Sequence, residues 1–284
     1  MKRVNMKRVN MKRFILWLFF VVLFSPFFSG CFEDERIESM DETAGSNYLI
    51  DDTEKYVLTV GQLQDIFKAT MSFRIEKVTQ LAKDLQKFLS IPECRYYRRI
   101  VYEIYQEIKM QKRRLLIKVD PNDSDLKNNP QVLARYDSEN ETVVYRKLET
   151  EVLGGELDGV TLIHEMIHHW QNLLKGKDVF RYENLRNTEF EVIFLLDMVI
   201  CQLREGNIDN ADDLLQYLYV KDFNNQYTKE QIDEYKEVLW KIWHKEFYLV
   251  RDKLQTLAKN YKTYDHVGYN PYLNFRLIDF LWSN

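Results

Sequence analysis

Thr161-Leu162-Ile163-His164-Glu165-Met166-Ile167-His168-His169-Trp170 sets the fold of the 284-residue chain around it. The pattern H-E-x-x-H runs from His164 to His168. On a helix, residues four apart share a face, so these two imidazoles can grip one metal ion with Glu165 beside it. Such a pair suits Zn2+, and the adjacent carboxylate is then placed as the base for a metal-activated water. The competing reading is a chance coincidence of three letters on an ordinary helix. The flanks argue against it, because Thr161, Leu162, Ile163, Met166, Ile167 and Trp170 are all uncharged. A helix buried beneath an active-site cleft requires that. His169 points about 100° round the helix from His168 and cannot easily share the ion with both others.

These ten residues resemble the active-site helix of the zincin metallopeptidases, which pair H-E-x-x-H with a third ligand further down the chain. A weaker likeness extends from about Gln131 to Asp197. The resemblance implies a zinc peptidase with His164 and His168 as ligands and Glu165 as catalytic base. In the gluzincins a second helix delivers a glutamate, and Glu189 and Glu191 follow His168 by 21 and 23 residues. Two positions apart on a helix, only one of them can face the metal. Several zinc-protease families carry E-x-E-A here and bind through the first glutamate. Glu189-Phe190-Glu191-Val192 resembles that pattern with Val192 in place of alanine, so the resemblance implies Glu189 as the third metal ligand. Glu191 is the alternative, with His244 and His266 next, although His244 reads better as a packing or surface residue. Where these families commonly carry an aspartate that supports a histidine, this chain has Ile193. Asp197, one turn on, is the candidate acceptor for a ring N–H. A downstream His or Tyr stabilises the oxyanion in gluzincins, which makes His266 and Tyr269 candidates for that task.

The N-terminus carries a different message. Met1-Lys2-Arg3-Val4-Asn5 repeats as residues 6–10, and a repeat of five residues has no folding logic. Lys12 and Arg13 then precede an apolar run from Phe14 to Phe28, the pattern of a signal peptide too short to span a bilayer comfortably. It ends in Phe28-Ser29-Gly30-Cys31, which resembles the lipobox of bacterial lipoproteins, with Phe28 departing from the usual aliphatic residue. The resemblance implies lipidation of Cys31 and attachment to the outer membrane of the cell envelope. The acidic run from Glu33 to Glu42 reads as a solvated tether. It also resembles the export signal that displays some lipoproteins on the cell surface.

Composition bounds the remainder. With 45% hydrophobic and 30% charged residues, the chain is ordinary for a globular protein. A net charge of −4 leaves no footprint for nucleic acid. Nine glycines and five prolines against 17 Phe and 18 Tyr favour long helices. Cys94 and Cys201 lack the paired spacing of a zinc knuckle; they could form one disulfide outside the cytoplasm but read better as separate buried thiols. There is no Gly-rich phosphate loop and no G-x-S-x-G.

Apolar residues at spacings of three and four predict helix from Val60 to about Ser90 and again from Tyr96 to Lys112. Short apolar runs at 115–119, 132–136 and 142–146 predict strands, the last two joined as a hairpin across Asp137-Ser138-Glu139-Asn140-Glu141. Gly154-Gly155 breaks the chain before the motif helix, and Gly176 ends it. A helix apolar on nearly every side runs from about Asn187 to Arg204 and must be buried, which makes Glu189, Glu191 and Asp197 conspicuous. Further helices are predicted at 212–219 and, as one long amphipathic element, from Thr228 to about Tyr261.

The expectation is an α+β protein in three parts. Residues 1–30 are a lipoprotein signal peptide, 31–58 the lipidated cysteine and acidic tether, and 59–284 one mainly helical zincin-like domain. A small antiparallel sheet precedes its active-site helix. Its partners are a peptide or protein substrate and, through the lipid, a membrane. Two rivals remain. One is a surface lipoprotein that binds a protein or glycan on a degenerate zincin scaffold. The other is a SprT-like DNA-repair protease, which the export signal and the negative charge disfavour.

Overall fold

A capping box opens the first helix: the Thr59 hydroxyl takes the Gln62 N–H, and the Gln62 side chain returns to the Thr59 N–H. The computed structural model describes residues 52–128, 132–148, 157–203, 228–243, 246–261 and 267–282. The leader, Cys31, Gly154-Gly155, the helix predicted at 212–219, His244 and His266 lie outside the described residues.

Helix α1 (Val60–Ile66) passes directly into a two-residue strand, β1 (Phe67–Lys68). The continuous helix expected from Val60 to Ser90 is therefore interrupted. Phe73 N–H donates to the Thr70 hydroxyl at 2.9 Å, and Thr70 N–H donates to the Phe73 carbonyl at 2.9 Å, closing a turn. Side-chain-to-backbone bonds of this kind compete with helix even where the apolar spacing suits it. The chain then forms α2 (Ile75–Ser90), which stops before Pro92, and α3 (Tyr97–Gln111).

Strand β2 (Leu115–Val119) leads through a short helix, α4 (Ser124–Asn128), to the hairpin β3 (Ala134–Asp137) and β4 (Thr142–Tyr145). The hairpin is antiparallel, as expected. The sheet as a whole is not: its order is β1-β2-β4-β3, and β2 runs parallel to both β1 and β4. The reason is the connections. Two helices carry the chain from β1 to β2, and such a crossover allows parallel strands. The hairpin slots β4 between β2 and β3, leaving β3 at the edge. Val143 and Tyr145 face the main core, while Val144 packs with Leu126 and Val132 on the opposite face. Both faces of the sheet are thus covered at β4.

The motif helix is α5 (Gly159–Lys175). Asp158 caps it, accepting from Thr161 N–H at 3.0 Å and from the Thr161 hydroxyl at 2.6 Å. Gly176 ends it at φ 76°, a left-handed value that costs a glycine little. Two 3-10 turns lead into α6 (Leu185–Leu203), whose residues Phe190, Val192, Phe194, Leu195, Met198 and Val199 are all buried. The predicted helix from Thr228 to Tyr261 is two helices, α7 (Lys229–Trp243) and α8 (Phe247–Asn260), followed by α9 (Arg276–Trp282). Unbroken, it would extend about 50 Å, beyond a small domain. As two helices, Tyr235, Val238 and Leu239 of α7 are buried in the same core as Val250, Leu254 and Leu257 of α8. Lys253 of α8 reaches back to Glu237 of α7 at 2.5 Å. No helix among the described residues is long and apolar enough to cross a membrane.

Candidate metal centre

Helix α5 turns His164 and His168 to one side, where α6 presents Glu189, and all three residues are buried. One ligand atom from each lies within 4.8 Å of the others. His168 Nε2 is 3.2 Å from Glu189 Oε1, and His164 Nε2 is 3.7 Å from Glu189 Oε2. Neither carboxylate oxygen has a hydrogen-bond partner among the described residues. Leaving a buried carboxylate without partners is costly unless a cation completes it. Two imidazoles and a carboxylate are also the donor set of a catalytic zinc site, whose bonds of about 2.1 Å put tetrahedral ligands about 3.4 Å apart. The distances here bracket that separation, so the residues fit the ion.

Without an ion, the three groups act on one another. Burial opposes charge on His168, but the facing Glu189 carboxylate outweighs it and pushes the imidazole up to about 9. Burial likewise opposes charge on Glu189, and the two histidines, His168 foremost, hold it down at about 2. The His168 ring is walled by Tyr136 of β3, nearly parallel to it with centroids 6.4 Å apart, and by Phe180, edge-on at 5.8 Å.

Glu165 is 5% exposed. Burial raises its pKa, while His164 and His168 pull it back. Tyr145 at the end of β4 has a buried hydroxyl with no hydrogen-bond partner among the described residues. Burial, then the carboxylates of Glu165 and Asp158, push that phenol well above its ordinary range.

Comparison with protein-family models, curated proteins and solved structures finds no match. The site's meaning therefore rests on its own chemistry.

The structure separates the two glutamates. Glu191 points away from the histidines: its Oε2 accepts from Lys175 Nζ at 2.7 Å and from Gln171 Nε2 at 2.9 Å, and its Oε1 accepts the Leu277 N–H at 2.8 Å. His169 also turns away, as expected. Its Nε2 donates to the Arg113 carbonyl at 3.0 Å, so its Nδ1 accepts from the Tyr136 hydroxyl at 3.0 Å. Burial keeps it neutral, with a pKa lowered to about 4.

Three expectations need correction. Asp197 is not the ring N–H acceptor for His168; it accepts from the Tyr235 hydroxyl. The acceptor is Gln171, whose Oε1 lies 2.9 Å from His168 Nδ1. Tyr269 is not poised over the site, because its hydroxyl donates to the Gln255 carbonyl at 2.9 Å and lies 2.8 Å from Gln255 Oε1. Cys94 is half-buried rather than fully buried.

Gln171, Tyr136 and Tyr145 are the residues that the sequence did not single out. A polar residue one turn after a ligand, on a helix with uncharged flanks, was the available signal for Gln171.

Proposed function

We propose that this chain is a zinc-dependent peptidase of the zincin type. One observation carries the reading: His164, His168 and Glu189 converge in a buried cluster, and Glu165 adjoins the first of them on the same helix. Zn2+ bound there supplies a Lewis acid that lowers the pKa of a bound water toward about 7 and polarises the scissile carbonyl. Glu165 is the general base. Burial raises its carboxyl pKa, which suits a group that takes a proton from water and passes it to the leaving amine. The edge strand β3, one residue of which stacks on His168, offers an extended substrate a strand to pair with.

The proposal includes an anchor. The leader ending in Ser29-Gly30-Cys31 is that of a bacterial lipoprotein, with Cys31 lipidated and the catalytic domain held at the outer membrane. The acidic stretch after Cys31 supports display at the surface.

Metal analysis of the purified protein with a peptide-hydrolysis assay tests the reading. About one zinc per chain and metal-dependent cleavage are expected. A stable wild-type chain that takes up no zinc after reconstitution would sink it and favour a binding protein on a degenerate scaffold.

A further inference from the structure

Gln171 lies one turn after His168 on α5 and is fully buried. Its Nε2 is 3.0 Å from the Thr188 carbonyl and 2.9 Å from Glu191 Oε2. Neither oxygen can donate, since Glu191 also accepts from Lys175 at 2.7 Å. Both amide protons are thereby committed, which leaves Oε1 as an acceptor. When the ring is neutral, as a metal ligand must be, its one proton then sits on Nδ1, 2.9 Å from Gln171 Oε1. Nε2 keeps its lone pair, and Nε2 is the nitrogen that faces Glu189 at 3.2 Å.

The amide itself is held from outside. Glu191 Oε1 takes the Leu277 N–H at 2.8 Å, and Lys175 Nζ reaches the Asn274 carbonyl at 3.0 Å. A continuous set of bonds thus runs from the segment entering α9, through Glu191 and Gln171, to His168.

We propose that Gln171 is a positioning residue of the metal centre: it fixes the tautomer and ring plane that turn His168 Nε2 toward the ion, and residues 274–277 hold it there through Glu191. The proposal rests on the metal-binding reading above. Its rival is that the amide only braces α5 against α6, with Tyr136 and Phe180 sufficient to hold the ring.

Two substitutions separate these. Gln171→Met and Gln171→Glu both lose the amide donors to Thr188 and Glu191, but only the glutamate keeps an acceptor for Nδ1–H. Zinc affinity of the full chain in detergent, measured by competition with a chromogenic chelator, should fall about 10–100-fold in Gln171→Met. Gln171→Glu should lose clearly less, one carboxyl oxygen accepting Nδ1–H while the other takes up a proton to bond Glu191. An equal loss in both variants, or wild-type affinity in Gln171→Met, overturns the proposal while leaving the metal centre standing. No zinc binding by the wild type removes both. Wild-type protein labelled with 15N-histidine gives an independent reading should Gln171→Met fail to fold. In the zinc-loaded chain the His168 Nδ1–H should resonate downfield and exchange slowly, and a freely exchanging proton there overturns the proposal.

Discussion

His168 Nε2 stands 3.2 Å from Glu189 Oε1. One residue is on α5 and the other on α6, so the packing of two buried helices makes the encounter. In the neutral ring Gln171 assigns the one proton to the far nitrogen, which leaves a lone pair facing a carboxylate. That pairing is repulsive until a cation enters or a second proton binds.

Removing the carboxylate should therefore expose the difference between two glutamates that look alike in sequence. Glu189→Ala is expected to abolish tight zinc binding, as are His164→Ala and His168→Ala. Glu191→Ala should keep the ion, its affinity weakened through Gln171 far less than in Glu189→Ala, and lose about 3–5 kcal/mol of stability, because Lys175 loses its carboxylate and the Leu277 N–H its acceptor. Isothermal titration with zinc and urea unfolding measure the two effects. The reverse order would make Glu191 the ligand.

Glu165→Gln should separate metal binding from chemistry. The amide keeps the shape of the side chain but cannot accept and return a proton. Zinc content should stay near one per chain while the hydrolysis rate falls by about 10²–10⁴. Retained hydrolysis in this variant would remove Glu165 from the mechanism.

The metal-free protein should carry a pH signature that zinc erases. His168 is raised from 6.5 to about 9, so its stabilising charge is complete below pH 6.5 and lost as pH climbs through 9. Glu189 is depressed from 4.5 to about 2, so its contribution is complete above 4.5 and lost only as pH falls through 2. His169, lowered to about 4, acts oppositely to its neighbour and loses stability as pH falls from 6.5 toward 4. Urea midpoints of the metal-free chain should thus drop between pH 6.5 and 9. With zinc bound, both imidazoles are already neutral and that drop should vanish. Identical alkaline profiles with and without zinc would contradict the pairing.

Where sequence and structure agree, the governing pattern is local. Gly176 ends α5, turn residues define the β3–β4 hairpin, and an apolar surface on nearly all sides predicts a buried α6. Choosing Glu189 over Glu191 drew on a short motif, and the reason for it appears only once Lys175 and Leu277 are seen to occupy Glu191. Gln171 was not legible because its role depends on α5 meeting α6 at Thr188. Nor were the strand directions, since period-two alternation fixes a face and not the path of a crossover. The split between α7 and α8 eluded periodicity for the same reason: each half keeps the helical spacing, and only burial decides that they fold together.

The segment before α9 should tolerate no added carbon at Gly268. A Cβ there would come within 2.3 Å of the Glu183 Cα and 2.9 Å of the Tyr182 carbonyl. The same residue donates its N–H to that carbonyl at 3.0 Å, and Asn270 exchanges side-chain and backbone bonds with Asn187 just beyond. Gly268→Ala is expected to cost about 1–3 kcal/mol in urea unfolding. Gly61→Ala, where the nearest atom is 3.9 Å away in helix α1, should instead gain about 0.4–1 kcal/mol. Similar values for the two would mean that the approach to Glu183 is not tight.

Anchoring is the remaining prediction, and it depends on one residue. The apolar run from Phe14 to Phe28 is followed by small residues and Cys31. If that thiol receives lipid, the mature protein should sediment with membranes and enter the detergent phase. A single acyl chain binds a membrane only marginally, so the multiple chains of a lipoprotein are needed for firm retention. Cys31→Ala should leave the precursor uncut or release the domain in soluble form, in either case without incorporating labelled fatty acid. Zinc content should not change, since the anchor and the metal centre share no residue. Wild-type protein recovered from the soluble cytosol would overturn the lipoprotein reading and return the DNA-repair protease to consideration, with the metal centre untouched.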